Sequence, residues 1–582
     1  MLFMAYYLVL GHAFAVLAAS SPTAHTVNGT YLGLKIPSFH QEAFYGIPYA
    51  QAPVGDLRLR RSLPYNQSWS GVRNATVRSD SCPGYNGFPL TLVGGSLVDG
   101  LTLGEDCLTI DIVRPANTNP SDKLPVFTWF YGGGFIAGGS ADPKYKLSYI
   151  VRNSMDMNKP IIGTIINYRT MCFGFLASKE ALKANVSNLG LFDQRKGLSW
   201  IQENIESFGG DPDKVTIAGE SAGGSSTGYH LIGFKGQNDG LFRGAIMESA
   251  SLLGAPVNNP EQLQRSYQGM YDNITTTVGC NNSNDSLACL RTVPYETLHQ
   301  ACTGFRQTPI MDGEFISQLP SQSIQKGEIA DVAIIMGSNT DEGTAVFLGP
   351  RASPLNTDQD VFKYIKALGS GLNNETVETV MNLYPDDPTW GCPFGTGPER
   401  FADQGFQYKR GAAIAGDYFI HSGRRFYANS HSTRSQKPIY TYRFDQAPWN
   451  MREPSIMIIP PVYVTHYSEV LSTVATSTSF ANHQLQIVYV FDNPNNNSNF
   501  IGPYPGYARL QSFVSRSWVS FIHDLDPNNH GLKDPNLPKW PKYNSNHPQN
   551  IVFREGGSFV ENDDYRKQKL AFWPTIWTEL QT

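Results

Sequence analysis

From Lys123 onward, the chain alternates between short apolar runs that end in glycine or polar residues and longer polar-apolar stretches. The runs LPVFTWFYGGGF, IIGTIINYR and KVTIAGES are rich in β-branched and aromatic residues and have the length of buried strands. Segments such as FDQRKGLSWIQENIESFG lie between them and are helical in pattern. This alternation predicts an α/β domain whose central, mostly parallel sheet is flanked by helices on both faces.

The N-terminal part has a different pattern. The stretch TYLGLKIPSFHQEAFYGIPYAQAP contains short alternating strands broken by Gly and Pro, which predicts a small antiparallel edge on the larger sheet. Residues 1–20 are apolar and end in small residues, and His12 interrupts the run, so we interpret them as a secretory signal peptide rather than a membrane anchor. We expect residues 21–582 to form a single, soluble, secreted domain.

Composition narrows the possible functions. The chain is 41% hydrophobic, which is ample for a core, and it carries a net charge of -5 without a basic run. Binding to nucleic acid or to an anionic membrane is therefore not indicated. Together with the leader, N-x-S/T acceptors suggest a glycosylated protein; they occur at Asn28, Asn66, Asn74, Asn185, Asn273, Asn281, Asn284, Asn374 and Asn496.

The chain has seven cysteines, and we expect disulfides because a secreted protein folds in an oxidising compartment. Two pairs enclose loops and are predicted to be bridged: Cys82 with Cys107, and Cys280 with Cys289. Cys172 lies in the apolar run MCFGFL, and we expect it to be a buried free thiol. Cys302 and Cys392 either pair or stay free, because spacing does not decide between the two.

The stretch VTIAGESAGG contains the pattern G-x-S-x-G. Gly219, Ser221 and Gly223 follow a β-branched run and precede small residues that can open a helix. Glycines on both sides permit a sharp strand-to-helix turn that exposes the serine hydroxyl at the carboxyl end of the sheet. We predict that Ser221 is a nucleophile; the alternative is a chance match in a chain rich in Gly and Ser.

A glycine run, Gly132, Gly133 and Gly134, follows the strand VFTWFY. Backbone without side chains can bring consecutive N–H groups up to a substrate oxygen on which negative charge develops. The N–H of Ala222, directly after the nucleophile, would add a donor. The alternative is that the glycine run is only a tight turn. Together with the serine elbow downstream, it predicts an oxyanion hole.

Several motifs in one order resemble the type-B carboxylesterase and cholinesterase family of α/β-hydrolases, especially its secreted fungal members. They include FYGIPYAQAPVGDLR, GEDCL, YGGGF, GLFDQR, FGGDPDKVTIAGESAGG and GSNTDEG, and they span nearly the whole mature chain. The resemblance implies an α/β-hydrolase fold. It also implies hydrolysis of a small-molecule or lipid carboxylic ester by a Ser-Glu-His triad, without metal or cofactor.

Carried over residue by residue, the resemblance implies Ser221 as nucleophile and Glu342 of TDEG as triad acid. Its oxyanion donors would be Gly133, Gly134 and Ala222. The resemblance also implies two bonds and two structural ion pairs: the disulfides Cys82–Cys107 and Cys280–Cys289, and the pairs Arg58 with Glu105 and Arg169 with Asp193.

The triad roles follow from the residue types. A serine hydroxyl is a weak nucleophile near neutral pH, so a histidine must take its proton and later give it to the leaving alcohol. Glu342 would orient that imidazole and stabilise its charged form. A surface carboxylate is the alternative, but Glu342 follows the strand-like DVAIIMG, which favours the triad.

The catalytic histidine departs from the family pattern, which is H-x-x-E-[IV]-x-Y-V-F. His466 begins HYSEV, but VYVFDN comes only after an atypical insertion at about 470–486, which contains His483. Removing Val470 to Gln486 would give HYSEIVYVFDN, so we predict His466 rather than His483 as the base. The insertion is either a translated intron or a genuine loop, and both remain open.

Substrate choice is less constrained. The loop between Cys82 and Cys107 has Leu and Val among glycines; it is either a mobile apolar cover, as in related lipases, or an ordinary surface loop. It lacks the tryptophan that binds a quaternary ammonium in cholinesterases, so choline esters are not expected substrates. A plain esterase, a lipase for longer-chain acylglycerols and a catalytically impaired binding or adhesion protein are the functions considered.

Overall fold

The computed structural model describes residues 21–85, 100–254, 257, 267–305, 307–344, 354–369, 371–401, 404–447, 483, 486–494 and 501–580. The interpreted signal peptide, His466 and most of the Cys82–Cys107 loop lie outside these residues. The strands are β1 (Thr23–His25), β2 (Thr30–Leu32), β3 (Leu34–Ile36), β4 (Gln41–Pro48), β5 (Val72–Asn74), β6 (Thr109–Pro115), β7 (Leu124–Phe130), β8 (Ile162–Ile166), β9 (Gly210–Glu220), β10 (Gly244–Glu248), β11 (Ala333–Asn339), β12 (Ile439–Phe444), β13 (Gln549–Phe553) and β14 (Phe559–Asn562).

The helices lie mainly between these strands. They are α1 (Leu147–Asp156), α2 (Met171–Phe175), α3 (Lys179–Lys183), α4 (Leu189–Asn204), α5 (Ala222–Gly236), α6 (Gln268–Thr277), α7 (Ser286–Thr292), α8 (Tyr295–Cys302), α9 (Pro320–Lys326), α10 (Asp358–Leu368), α11 (Asn374–Leu383), α12 (Tyr408–Gly416), α13 (Ser422–Arg434), α14 (Ile487–Val490), α15 (Pro505–Asp524), α16 (Lys567–Phe572) and α17 (Trp577–Leu580). A π-helical turn, Asp417–His421, joins α12 to α13. Among the described residues, no helix has both the length and the apolar character needed to cross a membrane.

Eleven of the described strands form one mixed sheet in the order β14-β13-β12-β11-β10-β9-β7-β8-β6-β4-β3. Seven neighbouring strands of this sheet are parallel, in the order β13, β12, β11, β10, β9, β7 and β8. At one edge β6, β4 and β3 are antiparallel, and at the other edge β14 pairs antiparallel with β13. This confirms the predicted α/β class. The continuous apolar runs are explained by burial, because every residue of β8, β10 and β11 is buried.

The register of the central strands places their carboxyl ends at one edge. Glu248 at the end of β10 is opposite Glu220 at the end of β9 on one side and Gly337 of β11 on the other. Chain segments that leave β9, β10 and β11 therefore meet at this edge. Sites in parallel α/β sheets lie there.

A second group of apolar residues packs beside the main core, and we call it the satellite cluster. It includes Ile136, Met171 and Phe173 on one side and Leu298 and Cys302 of α8 on the other, together with residues of α6 and α7. The satellite cluster thus connects three short helices to the chain between β7 and α2.

The structure joins Cys82 with Cys107 and Cys280 with Cys289. It also joins Cys172 with Cys302, so the expectation of a free thiol at Cys172 was wrong. The two residues are 130 positions apart in sequence, and only the packing of α2 against α8 brings them together. The free thiol is Cys392, which is buried.

Candidate active site

Ser221 occupies a tight turn between β9 and α5. Its φ of 55° and ψ of -122° lie in a region that residues other than glycine rarely adopt. Such a conformation costs about 1–3 kcal/mol and persists only where the surroundings enforce it. Here the Ser221 N–H donates to the carbonyl of Glu248 at 3.0 Å, and the Ser221 carbonyl accepts from the N–H of Ser225 at 2.8 Å.

The glycines of the elbow are required by close backbone contacts. A Cβ at Gly219 would lie 2.4 Å from the carbonyl of Gly223, and a Cβ at Gly223 would lie 2.0 Å from the carbonyl oxygen of Phe130. Both separations are far below van der Waals contact. The pattern G-x-S-x-G therefore lets α5 pack directly against the ends of β9 and β7.

Residues 132–138 contain two of the predicted oxyanion donors, and we call them the oxyanion loop; they lie beside Ser221. A Cβ at Gly132 would be 3.3 Å from Cβ of Ser221, so the loop passes next to the serine side chain. Gly133 and Gly134 have φ values of 111° and 65°, which favour glycine. The carbonyl of Gly133 accepts the N–H groups of Ile136 and Ala137, which turns the loop back on itself.

His483 lies between Ser221 and Glu342. Its Nε2 is 2.8 Å from Ser221 Oγ, and its Nδ1 is 2.7 Å from Oε2 of Glu342. Since an ionised carboxylate only accepts hydrogen bonds, Nδ1 carries the proton and Nε2 is free to accept the serine proton. The other Glu342 oxygen accepts the N–H of Asn339 at 2.7 Å, and both Glu342 and His483 are buried.

This geometry differs from the sequence-based preference for His466. His466 lies outside the described residues, and the structure brings His483, the alternative, to Ser221 and Glu342. The sequence contained a signal for it: HQLQIVYVF, which starts at His483, matches the family pattern without a gap if Gln486 replaces the glutamate. Requiring a glutamate at that position concealed the match.

Glu220, next to Ser221, is a buried carboxyl without a hydrogen bond in the described part of the chain. Its Oε1 lies 3.3 Å from Nε2 of His483. Burial raises its pKa to about 7, with His483 opposing and Glu342 adding to the increase. For His483, burial alone would lower the pKa, but the carboxyls of Glu220 and Glu342 outweigh burial and raise it.

Glu248 is a third buried carboxyl at the same edge. Burial raises its pKa to about 8, although it accepts a hydrogen bond from Nε1 of Trp518 at 2.9 Å. Gln486 lies close by: its Nε2 donates to Oγ of Ser249 at 3.1 Å, and its Oε1 accepts from Asn339 at 2.8 Å. The Gln486 side chain thus links the residue after β10 and the last residue of β11 to the segment that follows His483.

Both ion pairs implied by the resemblance are present. Arg58 and Glu105 approach to 2.6 Å, and Arg169 and Asp193 approach to 2.7 Å. These side chains are largely buried. Neither pair contacts Ser221 or His483, which fits a structural role.

The chain is similar to known proteins along nearly its whole length. The model of the carboxylesterase family matches residues 20–573. Lipase 4 of Diutina rugosa is 34% identical over 91% of each chain, and Secreted lipase 1 of Botryotinia fuckeliana is 32% identical over 91% of this chain and 89% of the relative. In fold the chain is similar to Aspergillus niger EstA, with a TM-score of 0.77 and 22% identity over 97% of this chain and 100% of EstA. The chain belongs to the carboxylesterase family.

Proposed function

We propose that the protein hydrolyses carboxylic esters through an acyl-enzyme on Ser221, with His483 as general base and acid and Glu342 as the residue that orients it. Ester hydrolysis follows from membership of the family. The residue roles rest on one observation, the continuous hydrogen-bonded chain from Glu342 through His483 to Ser221 at the carboxyl edge of the sheet.

The proposed reaction has two halves. In the first, Nε2 of His483 accepts the proton of Ser221 as its Oγ attacks the ester carbonyl, and the imidazolium then gives this proton to the departing alcohol. In the second, the same nitrogen activates water, which attacks the acyl-enzyme and releases the acid. Glu342 keeps Nδ1 protonated and stabilises the imidazolium in both halves.

The oxyanion that forms in each half requires donors close to Ser221. We assign this role to the backbone N–H groups of Gly133, Gly134 and Ala222, because the oxyanion loop and the first residue of α5 flank the serine. Removal of one such donor typically costs about 10²–10³ in kcat. Backbone donors are already fixed by the fold and need no rearrangement as charge develops.

Residues 470–486 decide which histidine serves as the base. In a chain without them, HYSE would precede IVYVF directly, and His466 and Glu469 would take the places of His483 and Gln486. Sequencing the mature transcript distinguishes the two chains. Retention of these codons in most reads supports His483, and their absence assigns the base to His466 while leaving the rest of the mechanism unchanged.

For the substrate, we propose a water-insoluble or long-chain ester as the second candidate beside short soluble esters. The relatives named above are called lipases, and this name is what favours the candidate. Activity on an acylglycerol that rises at an oil-water interface would support a lipase. Ordinary saturation on short soluble esters, with no such rise, would support a plain esterase.

We also propose that residues 21–582 form one secreted, glycosylated domain. The apolar leader supports this, as does the relative named Secreted lipase 1. Expression of the full chain in a eukaryotic host, followed by N-terminal sequencing of the protein in the medium, tests the cleavage near residue 20. Retention of the protein in the cell would contradict secretion.

The central test compares the secreted protein with its Ser221→Ala variant on p-nitrophenyl esters from acetyl to palmitoyl. We expect Ser221→Ala to lower kcat by about 10⁴ or more while the free energy of unfolding stays within about 1 kcal/mol. An organophosphonate probe should label the parent protein at Ser221 and leave the variant unlabelled. Equal activity of the two proteins would overturn the assignment of the nucleophile.

A further inference from the structure

Two backbone hydrogen bonds attach the oxyanion loop to neighbouring segments of the chain. The N–H of Met171 donates to the carbonyl of Phe135 at 2.8 Å, and the N–H of Tyr85 donates to the carbonyl of Ile136 at 3.1 Å. Phe135 and Ile136 directly follow Gly134. The chain segments that contain Met171 and Tyr85 therefore fix the position of the loop relative to Ser221.

Both segments are attached to helix α8. Cys172, the neighbour of Met171, forms its disulfide with Cys302 at the end of α8. Gly84, the neighbour of Tyr85, accepts a hydrogen bond at its carbonyl from Nε2 of His299 on α8, at 2.9 Å. Because the acceptor is a carbonyl, Nε2 of His299 carries the proton.

Packing in the satellite cluster reinforces these two attachments. Ile136 is fully buried, and Leu298 and Cys302 of α8 are each 1% exposed. On the other side, a Cβ at Gly84 would lie 3.0 Å from Cα of Ala137, so the Gly84 segment contacts the oxyanion loop directly. Movement of α8 would therefore be transmitted to the loop through close-packed atoms.

We propose that α8 is a brace for the oxyanion loop, with His299 and the Cys172–Cys302 disulfide as positioning residues for ester hydrolysis. The inference rests on the proposed function, because it concerns donors to the oxyanion formed on Ser221. Such donors act only if they are held in place before charge develops. A looser brace reduces stabilisation of the transition state more than binding of the ester, so kcat falls while KM changes little.

The test uses Cys172→Ala/Cys302→Ala, His299→Ala and His299→Gln in the full secreted chain. We expect kcat to fall about tenfold in the double variant and about threefold in His299→Ala, with KM within about twofold. His299→Gln should recover kcat, since its amide can donate to the Gly84 carbonyl. The inhibition constant of a trifluoromethyl ketone, whose adduct on Ser221 carries an oxyanion, should rise in the same proportion as kcat falls.

The matched control is Cys280→Ala/Cys289→Ala. It removes a disulfide that lies in the same satellite cluster but does not join a segment bonded to the oxyanion loop. It should keep kcat within about twofold even if its melting temperature falls. All rates are measured well below the lowest melting temperature of the set. An equal loss of kcat in the control, or unchanged kcat in both α8 variants, would overturn the brace. Undiminished activity of Ser221→Ala would instead refute the proposed function.

Discussion

Two groups of buried acidic side chains in this protein differ in how their charge is balanced. Asp563 is buried beside Arg424 and Arg425, and its oxygens accept hydrogen bonds from both guanidinium groups and from Tyr543. Glu220 and Glu248 at the candidate active site are equally buried, but the described residues supply no Arg or Lys ion pair to either. Buried carboxyl groups thus occur in this protein both with and without arginine or lysine partners.

The pKa values follow this difference. Burial would raise the pKa of Asp563, but the two arginines outweigh burial and hold it well below its usual range. Burial raises the pKa of Glu220 to about 7 and that of Glu248 to about 8. The charges paired around Asp563 maintain the fold, whereas Glu220, which lies beside His483 without an arginine or lysine partner among the described residues, raises the pKa of that histidine.

The largest expected effect is at His483, which is hydrogen-bonded to both Ser221 and Glu342. His483→Ala should lower kcat by about 10⁴, because the serine loses its proton acceptor. The measurement is single-turnover hydrolysis of p-nitrophenyl butyrate. The companion variant His466→Ala decides between the two histidines: a large loss confined to His466→Ala would contradict the assignment to His483.

A smaller effect, on stability alone, is expected at Asp563 and its two arginine partners. Asp563→Asn should lower the free energy of unfolding by about 3–5 kcal/mol, because two buried guanidinium groups lose their counter-charge. Urea denaturation measures it. Since the pKa of Asp563 is depressed on folding, its contribution is present above the unfolded pKa of about 3.9 and is lost as pH falls through the folded pKa. Glu561→Gln, which breaks the less buried pair with Arg443, is the control and should cost about 1 kcal/mol or less.

The smallest effect concerns the pH profile. The base acts only when neutral, so kcat/KM rises as pH rises through the pKa of His483, which the carboxyls of Glu220 and Glu342 raise above 6.5 against the effect of burial. Glu220→Gln removes one carboxyl and should move this acid limb to lower pH by roughly one unit. Glu248 is not among the groups that shift the pKa of His483, so Glu248→Gln should leave the limb in place. An unmoved limb in Glu220→Gln would show that Glu220 does not act on His483.

The features that could be predicted from sequence are those encoded locally. The apolar runs of β7, β8 and β9 predict their own burial, and the glycines around Ser221 predict a sharp turn at which backbone segments approach too closely for a side chain. The partnership of Cys172 with Cys302 was missed because an apolar neighbourhood is equally consistent with a free thiol or a buried disulfide. The signal for His483 is weak because Gln486 stands where the family pattern has a glutamate, and the choice between His483 and His466 stays a prediction.

The contact between Gly223 and Phe130 has a consequence for how this fold can lose its activity during evolution. A side chain at Gly223 would collide with the backbone of β7, so replacing this glycine would damage the sheet as well as the site. Replacing Ser221 by a residue of similar size leaves that contact intact. A descendant that abandons catalysis for binding should therefore lose the serine first and retain its glycines, which makes the glycine pattern a record of ancestry rather than of activity.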